Sequence, residues 1–103
     1  KTLAMARKAG VRICSGTDAG YMLEHGPVNW KELALLVQGG LTPLEALTAA
    51  TATNADLLGL DAGRVEPGRL ADLVLVDGDP TVDIAVLGQV DRLRVFKGGR
   101  DVM

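Results

Sequence analysis

One cysteine, one histidine, one tryptophan, one tyrosine and one phenylalanine are all that this 103-residue chain has of the side chains that most often carry covalent, metal or stacking chemistry. The single Cys14 excludes an internal disulfide, and its place inside an apolar run makes it a small buried hydrophobe rather than a nucleophile. Aromatics are 3% of the residues against 48% apolar in all, so the core has to be built from Leu, Val, Ile and Ala, with Trp30, Phe96 and Tyr21 as the only large rings. Neither sign of charge dominates. The 11 basic and 13 acidic residues are interspersed and leave a net charge of −2, so there is no basic stripe and nucleic acid is not an expected partner. No apolar run approaches bilayer length, and the N-terminus lacks the basic, apolar, small-residue order of a signal peptide, which makes the cytoplasm the expected compartment. The length allows one small domain that buries roughly two thirds of its unfolded surface. The chain opens on Lys1 rather than Met, as after processing or in a piece of a longer protein.

What is present is organised around Asp18. Val11, Ile13 and Cys14 suit a strand buried on both faces, and Gly16 and Gly20 let the backbone turn sharply where it ends. In parallel α/β architectures that end is where chemistry sits. A carboxylate there can hold a divalent cation, move a proton, or cap the next turn, and local sequence alone leaves these readings open. Residues 21–28 have loop composition and contain His25, read either as a loop residue bonded to backbone or water, or as a contact to substrate or metal. Nucleophilic catalysis by Cys14 or Ser15 is disfavoured, since His25 is the one base nearby in sequence and neither residue sits in a nucleophile elbow.

The rest reads as scaffold. Thr2 to Ala9 is a short helix with Leu3, Met5 and Ala6 inward and Gly10 ending it. Asn29 and Glu32 look like a capping box for a helix to Gln38, with Leu33, Leu36 and Val37 on one face and Gly39-Gly40 as the stop. Thr42-Pro43-Leu44-Glu45 is a stronger start for a helix to about Ala50, and a bend is expected at the Thr-rich junction before a short helical piece closed by Gly59. Glu66-Pro67-Gly68 is a type II turn, and Asp72 to Asp77 reads as an interior strand. Asp83 to Leu87 forms a helical turn. Arg92 to Val95 alternates as a half-exposed strand does, and Lys97-Gly98-Gly99-Arg100 is a hairpin turn leading to a last strand near Val102.

In order along the chain stand Gly16-Thr17-Asp18-Ala19-Gly20, His25-Gly26, Leu41-Thr42-Pro43-Leu44-Glu45-Ala46-Leu47 with Ala49-Ala50-Thr51, Asn54-Ala55 and Leu58-Gly59. They continue with Gly63-Arg64-Val65-Glu66-Pro67-Gly68-Arg69-Leu70-Ala71-Asp72-Leu73-Val74, Asp77-Gly78-Asp79-Pro80 and Lys97-Gly98-Gly99-Arg100. Each piece alone is weak, but the series resembles the C-terminal quarter of a metal-dependent amidohydrolase of the imidazolonepropionase-like and Xaa-Pro dipeptidase-like branch. The resemblance implies an α/β fold, the last strand and helices of a (β/α)₈ TIM barrel over residues 1–60 followed by strands of a small β-sandwich over 61–103. It makes Val11 to Thr17 the eighth barrel strand and Asp18 a metal ligand and proton carrier in the hydrolysis of an amide, cyclic amide or peptide C–N bond. The metal is zinc by the same resemblance, and within the hydrolase reading His25 is the candidate substrate contact, against the plainer reading as a loop residue bonded to backbone or water. The family's other metal ligands, a His-x-His pair, a carboxylated Lys and two further His, are expected ahead of Lys1, so the chain alone should be inactive and should associate as a homo-oligomer or with a complementing chain. The competing expectation is a non-catalytic structural or interaction module that reuses this scaffold.

Overall fold

The structure is a computed structural model that describes residues 1–20, 26 and 29–103. Four α-helices precede a three-stranded sheet: α1 (Thr2–Lys8), α2 (Asn29–Gln38), α3 (Pro43–Thr48), α4 (Asn54–Leu58), β1 (Leu73–Val76), β2 (Leu93–Lys97) and β3 (Arg100–Asp101). Three helices stop where glycine permits a left-handed residue. Gly10, Gly40 and Gly59 each have positive φ. In each case the residue after the glycine donates back across the last turn, from Val11 to Ala6, Leu41 to Leu36 and Leu60 to Ala55. This is the Schellman closure that satisfies otherwise orphaned carbonyls.

Helix α3 starts on the capping box that Thr42 and Glu45 predict: Glu45 N–H donates to Thr42 Oγ1 and Thr42 N–H to Glu45 Oε1, both at 3.1 Å. The same Glu45 carboxylate takes Arg7, whose other nitrogen donates to Gly40 O at 2.9 Å, so one guanidinium ties α1 to the end of α2 and the start of α3. At Asn29 the expected box does not form. Asn29 N–H donates to Gly26 O at 3.0 Å, and the Glu32 carboxylate is engaged elsewhere. At the Thr-rich junction where a bend is expected, a π-helical segment, Ala49–Thr53, carries the helix from α3 into α4 without a break.

Buried Leu33, Leu41, Ala46, Ala49 and Ile84 form the core, with Leu3, Leu36, Val37 and Leu87 packed around them. Ile84 comes from a 3₁₀ turn, Ile84–Gly88, whose N-cap Asp83 accepts from Ala85 N–H at 3.0 Å. Trp30 lies against Gly88 so closely that a Cβ there would meet its indole at 2.6 Å, which makes Trp30 a packing residue. Met5 is 65% exposed rather than turned inward, and Cys14 is half-buried rather than buried.

The sheet is antiparallel in the order β1-β2-β3, with Leu73 opposite Phe96 and Val76 opposite Leu93. Gly98 and Gly99, both at positive φ, make the tight turn into β3, which covers Arg100–Asp101 rather than reaching Val102. Gly68 has the positive φ that a type II turn requires at its third residue, and Arg69 N–H closes the turn on Glu66 O. The run from Asp72 to Asp77 is not interior: β1 is an edge strand, with Val74 54% and Leu75 64% exposed. Its sequence is that of a strand with neighbours on every side, and β2 supplies only one of them.

The accessible surface is 7267 Å², whereas a folded monomer of this mass presents about 5,500 Å². The chain therefore buries roughly half of its unfolded surface, not two thirds. Val11, Leu44, Leu57, Leu58, Val74 and Leu75 are among the large apolar residues left exposed. Among the described residues no helix is long and apolar enough to cross a membrane.

Ion pairs fasten the connections. Arg64 holds Asp56 through two bonds of 2.7 and 2.8 Å, Lys97 reaches Asp72 at 2.7 Å, and Arg94 pairs with Asp101. Hydrogen bonds from these partners hold the carboxyls of Asp56, Asp72 and Asp101 below the usual carboxylate range, and the Thr42 backbone N–H does the same for Glu45. These groups release their protons more readily folded than unfolded. Their contribution is therefore complete above an ordinary carboxylate pKa of about 4 and is withdrawn as pH falls through the depressed folded values. Thermal midpoints compared at about pH 6 and about pH 3 should drop by a few degrees, a small effect because the pairs are exposed, and added salt should shrink the difference.

Candidate functional site

Residues 11–18 leave α1 without entering a helix or a strand. The strand expected over Val11 to Thr17 is not formed, because among the described residues no strand lies beside it, and Val11 is 56% exposed. The backbone groups of Ser15 and the amide of Gly16 go to side chains instead. Ser15 N–H donates to Asn54 Oδ1 at 3.3 Å, while Asn54 Nδ2 donates to both Ser15 O and Ser15 Oγ at 3.1 Å. The next amide, Gly16 N–H, donates to Glu32 Oε1 at 3.3 Å. One segment is thereby held by α4 on one side and by α2 on the other.

Asp18 follows immediately. It is the one described non-glycine residue with positive φ, at 51°, a conformation that Asp tolerates better than most side chains. The local cap of this turn belongs to its neighbour, since Ala19 N–H donates to Thr17 Oγ1 at 3.2 Å. Asp18 is exposed, and no hydrogen bond or ion pair with a described residue engages its carboxylate. A cleft of about 310 Å³ opens beside this segment, lined by Ser15, Gly16, Thr17, Glu32 and Ala50 among others. A larger groove of about 520 Å³ runs past Val11 and Ile13 toward Leu44 and Thr48, at the start of the segment and away from Asp18. Its lining is that of a packing surface.

A carboxylate in this position is a hard oxygen donor suited to a divalent cation. Transition-metal sites need three or four converging ligands, and among the described residues no group of three or more His, Cys, Asp or Glu side chains comes together. The described residues around Asp18 therefore do not by themselves make a metal site. His25 and Tyr21 lie outside the described residues. Glu32 and Asn54 are the site residues that the sequence hides. Glu32 stands where a capping partner would, and Asn54 shows only as one half of the Asn54-Ala55 pair in the family series and as a poor helix former inside a helix, neither of which points to Ser15.

Residues 1–102 match the model of the amidohydrolase family. The chain belongs to that family. It is 36% identical over 99 residues to ochratoxinase from Aspergillus niger, a match that covers 92% of this chain and 20% of that protein. It is 44% identical over 79 residues to imidazolonepropionase from Pyrobaculum arsenaticum, covering 69% of this chain and 18% of that one. Among solved structures, an Xaa-Pro dipeptidase with methionine bound in its active site superposes with a TM-score of 0.83 at 38% identity, over 97% of this chain and 24% of the other. The amidohydrolase resemblance thus holds along nearly the whole sequence, with the Xaa-Pro dipeptidase matching over 97% of it and the imidazolonepropionase over 69%. The chain spans about a fifth of the length of the ochratoxinase and imidazolonepropionase it matches.

Proposed function

We propose that this chain forms the C-terminal part of a metal-dependent amidohydrolase that cleaves an amide, cyclic amide or peptide C–N bond in the cytoplasm. Residues 1–60 close a (β/α)₈ barrel and residues 61–103 contribute strands to a small β-sandwich. Within it Asp18 is a metal ligand and the carrier of the proton that passes from attacking water to the leaving nitrogen. The observation that carries the reading is the division of labour at the turn: Thr17 caps the backbone, and the Asp18 carboxylate stands exposed and unengaged by any described residue. A divalent metal, zinc in this reading, would acidify water and polarise the scissile carbonyl when bound. Asp18 would hold it together with ligands from outside the described residues, and a carboxylate beside attacking water can take its proton and pass it to the leaving nitrogen. His25 is assigned to substrate. The exposed edge of β1, the groove beside Val11 and the excess surface support packing against further strands, on the same polypeptide or on a second chain.

The test is hydrolysis by the intact protein that carries this segment, offered Xaa-Pro dipeptides, N-acyl amino acids and cyclic amides. At least one class should be turned over, the activity should fall at least about 100-fold on removal of metal with a chelator, and zinc should restore it. Absence of turnover on all three classes would favour the non-catalytic module, and turnover indifferent to chelation would refute the metal-dependent reading.

A further inference from the structure

We infer that Asn54 is a positioning residue for Asp18: its side-chain amide clamps the backbone of Ser15 and so fixes the direction in which the Asp18 carboxylate is presented. The inference rests on the role proposed for Asp18. Both backbone groups of Ser15 are taken by one planar amide, its oxygen accepting from the N–H at 3.3 Å and its nitrogen donating to the C=O at 3.1 Å. A neighbouring strand would make the same donor and acceptor pairing, but here it comes from a helix. No other side chain of this size can do it, because the task needs a donor and an acceptor held in one plane. Asp has the shape without the donor, and Ala has neither.

The helix is built to deliver this group. The π-helical segment Ala49–Thr53 ends at Asn54, whose own N–H bonds to Thr51 O. Asn54 Nδ2 also lies 3.5 Å from the Ala50 carbonyl, so the side chain links the end of the π-helical segment to the Ser15 segment. Single π turns inside α-helices are frequent at functional sites, where they re-aim one residue. Glu32 takes Gly16 N–H from the opposite side, and Thr17 takes Ala19 N–H. The backbone on either side of Asp18 is thus fixed by side chains. Small displacements of a positioned catalytic group cost rate out of proportion to their size.

The experiment is a double-mutant cycle in the intact protein on whichever of the three substrate classes it hydrolyses. Asn54→Asp and Asn54→Ala are expected to lower kcat about tenfold or more with KM within about twofold, because a group needed in the transition state has been misdirected. In an Asp18→Asn background the same changes should lower the residual kcat less than about twofold, since the group through which Asn54 acts is gone. Amide exchange in residues 11–20 should quicken in both Asn54 variants. Asp56→Ala, which removes the Arg64 pair from the same helix, controls for lost stability and should leave kcat unchanged. Wild-type kcat in the Asn54 variants, losses that add to that of Asp18→Asn, or an equal loss in Asp56→Ala would each overturn the inference while leaving the role of Asp18 standing. Wild-type kcat in Asp18→Asn itself would instead overturn the role of Asp18, and this inference with it.

Discussion

Replacing Asp18 by Asn should lower kcat of the intact protein by about a thousandfold or more and leave its stability within about 0.5 kcal/mol of wild type. The two halves of this expectation come from different features of the same residue. Asn keeps the size and the carbonyl oxygen of Asp but loses the negative charge and the capacity to take up and release a proton. General acid–base groups contribute factors of about 10² to 10⁴, and a lost charged ligand adds to that. Stability is spared because the Asp18 carboxylate bonds to no described residue, so the fold loses no interaction with one. Asn is also the correct replacement for the backbone, since it tolerates the left-handed φ of 51° at least as well as Asp. Asp18→Ala would mix in about 1–2 kcal/mol of backbone strain and blur the separation. Calorimetric midpoints beside steady-state kinetics read both halves. A thousandfold loss of activity accompanied by unfolding would move Asp18 to the scaffold, and a mild loss of activity would remove it from the chemistry.

The parts of the fold that were legible in the sequence are those decided within a few residues. Gly10, Gly40 and Gly59 end helices because only a residue free to take positive φ closes the last turn, and that need is local. Thr42 with Glu45, and Gly98 with Gly99, are likewise self-contained. The expectations that differed depended on what lies across the fold. Asn29 and Glu32 carry the spelling of a capping box, yet Glu32 faces Gly16 because the Ser15 segment passes within its reach. Val11 to Thr17 and Leu73 to Val76 have the composition of strands enclosed by neighbours, and composition reports only that a strand wants neighbours, not where they come from. Asp18 was visible as a candidate from its glycine-flanked position. The competing cap became assignable only when Ala19 was seen to bond Thr17. The bonds of Asn54 to Ser15 span 39 residues, and no periodicity encodes a contact of that kind.

The largest stability effect is expected at Gly63, where Gly63→Ala should cost about 3 kcal/mol and lower a urea midpoint by more than about 1 M. Gly63 lies in the connection between α4 and β1 with φ of 78°, and a Cβ there would stand 2.5 Å from the Thr51 carbonyl oxygen and 2.9 Å from the Ala55 Cβ. Two penalties add. An L side chain in the left-handed region costs about 1–2 kcal/mol, and forcing a methyl into backbone that cannot swing aside adds about 1–3 kcal/mol. Gly98→Ala separates them: Gly98 has a similar φ of 58° but nothing within 4 Å of the added Cβ, so it should show the backbone penalty alone, about 1 kcal/mol. The difference between the two variants therefore measures how tightly the connection is seated on the π-helical segment. That seat matters for the candidate site, because Thr51 belongs to the widened turn that aims Asn54 at Ser15. Gly63→Ala should accordingly quicken amide exchange in residues 11–20, whereas Gly98→Ala, at the far hairpin, should not. Equal midpoints for the two variants would mean that the connection shifts away from Thr51 without cost, and that the close approach of Gly63 holds nothing in place.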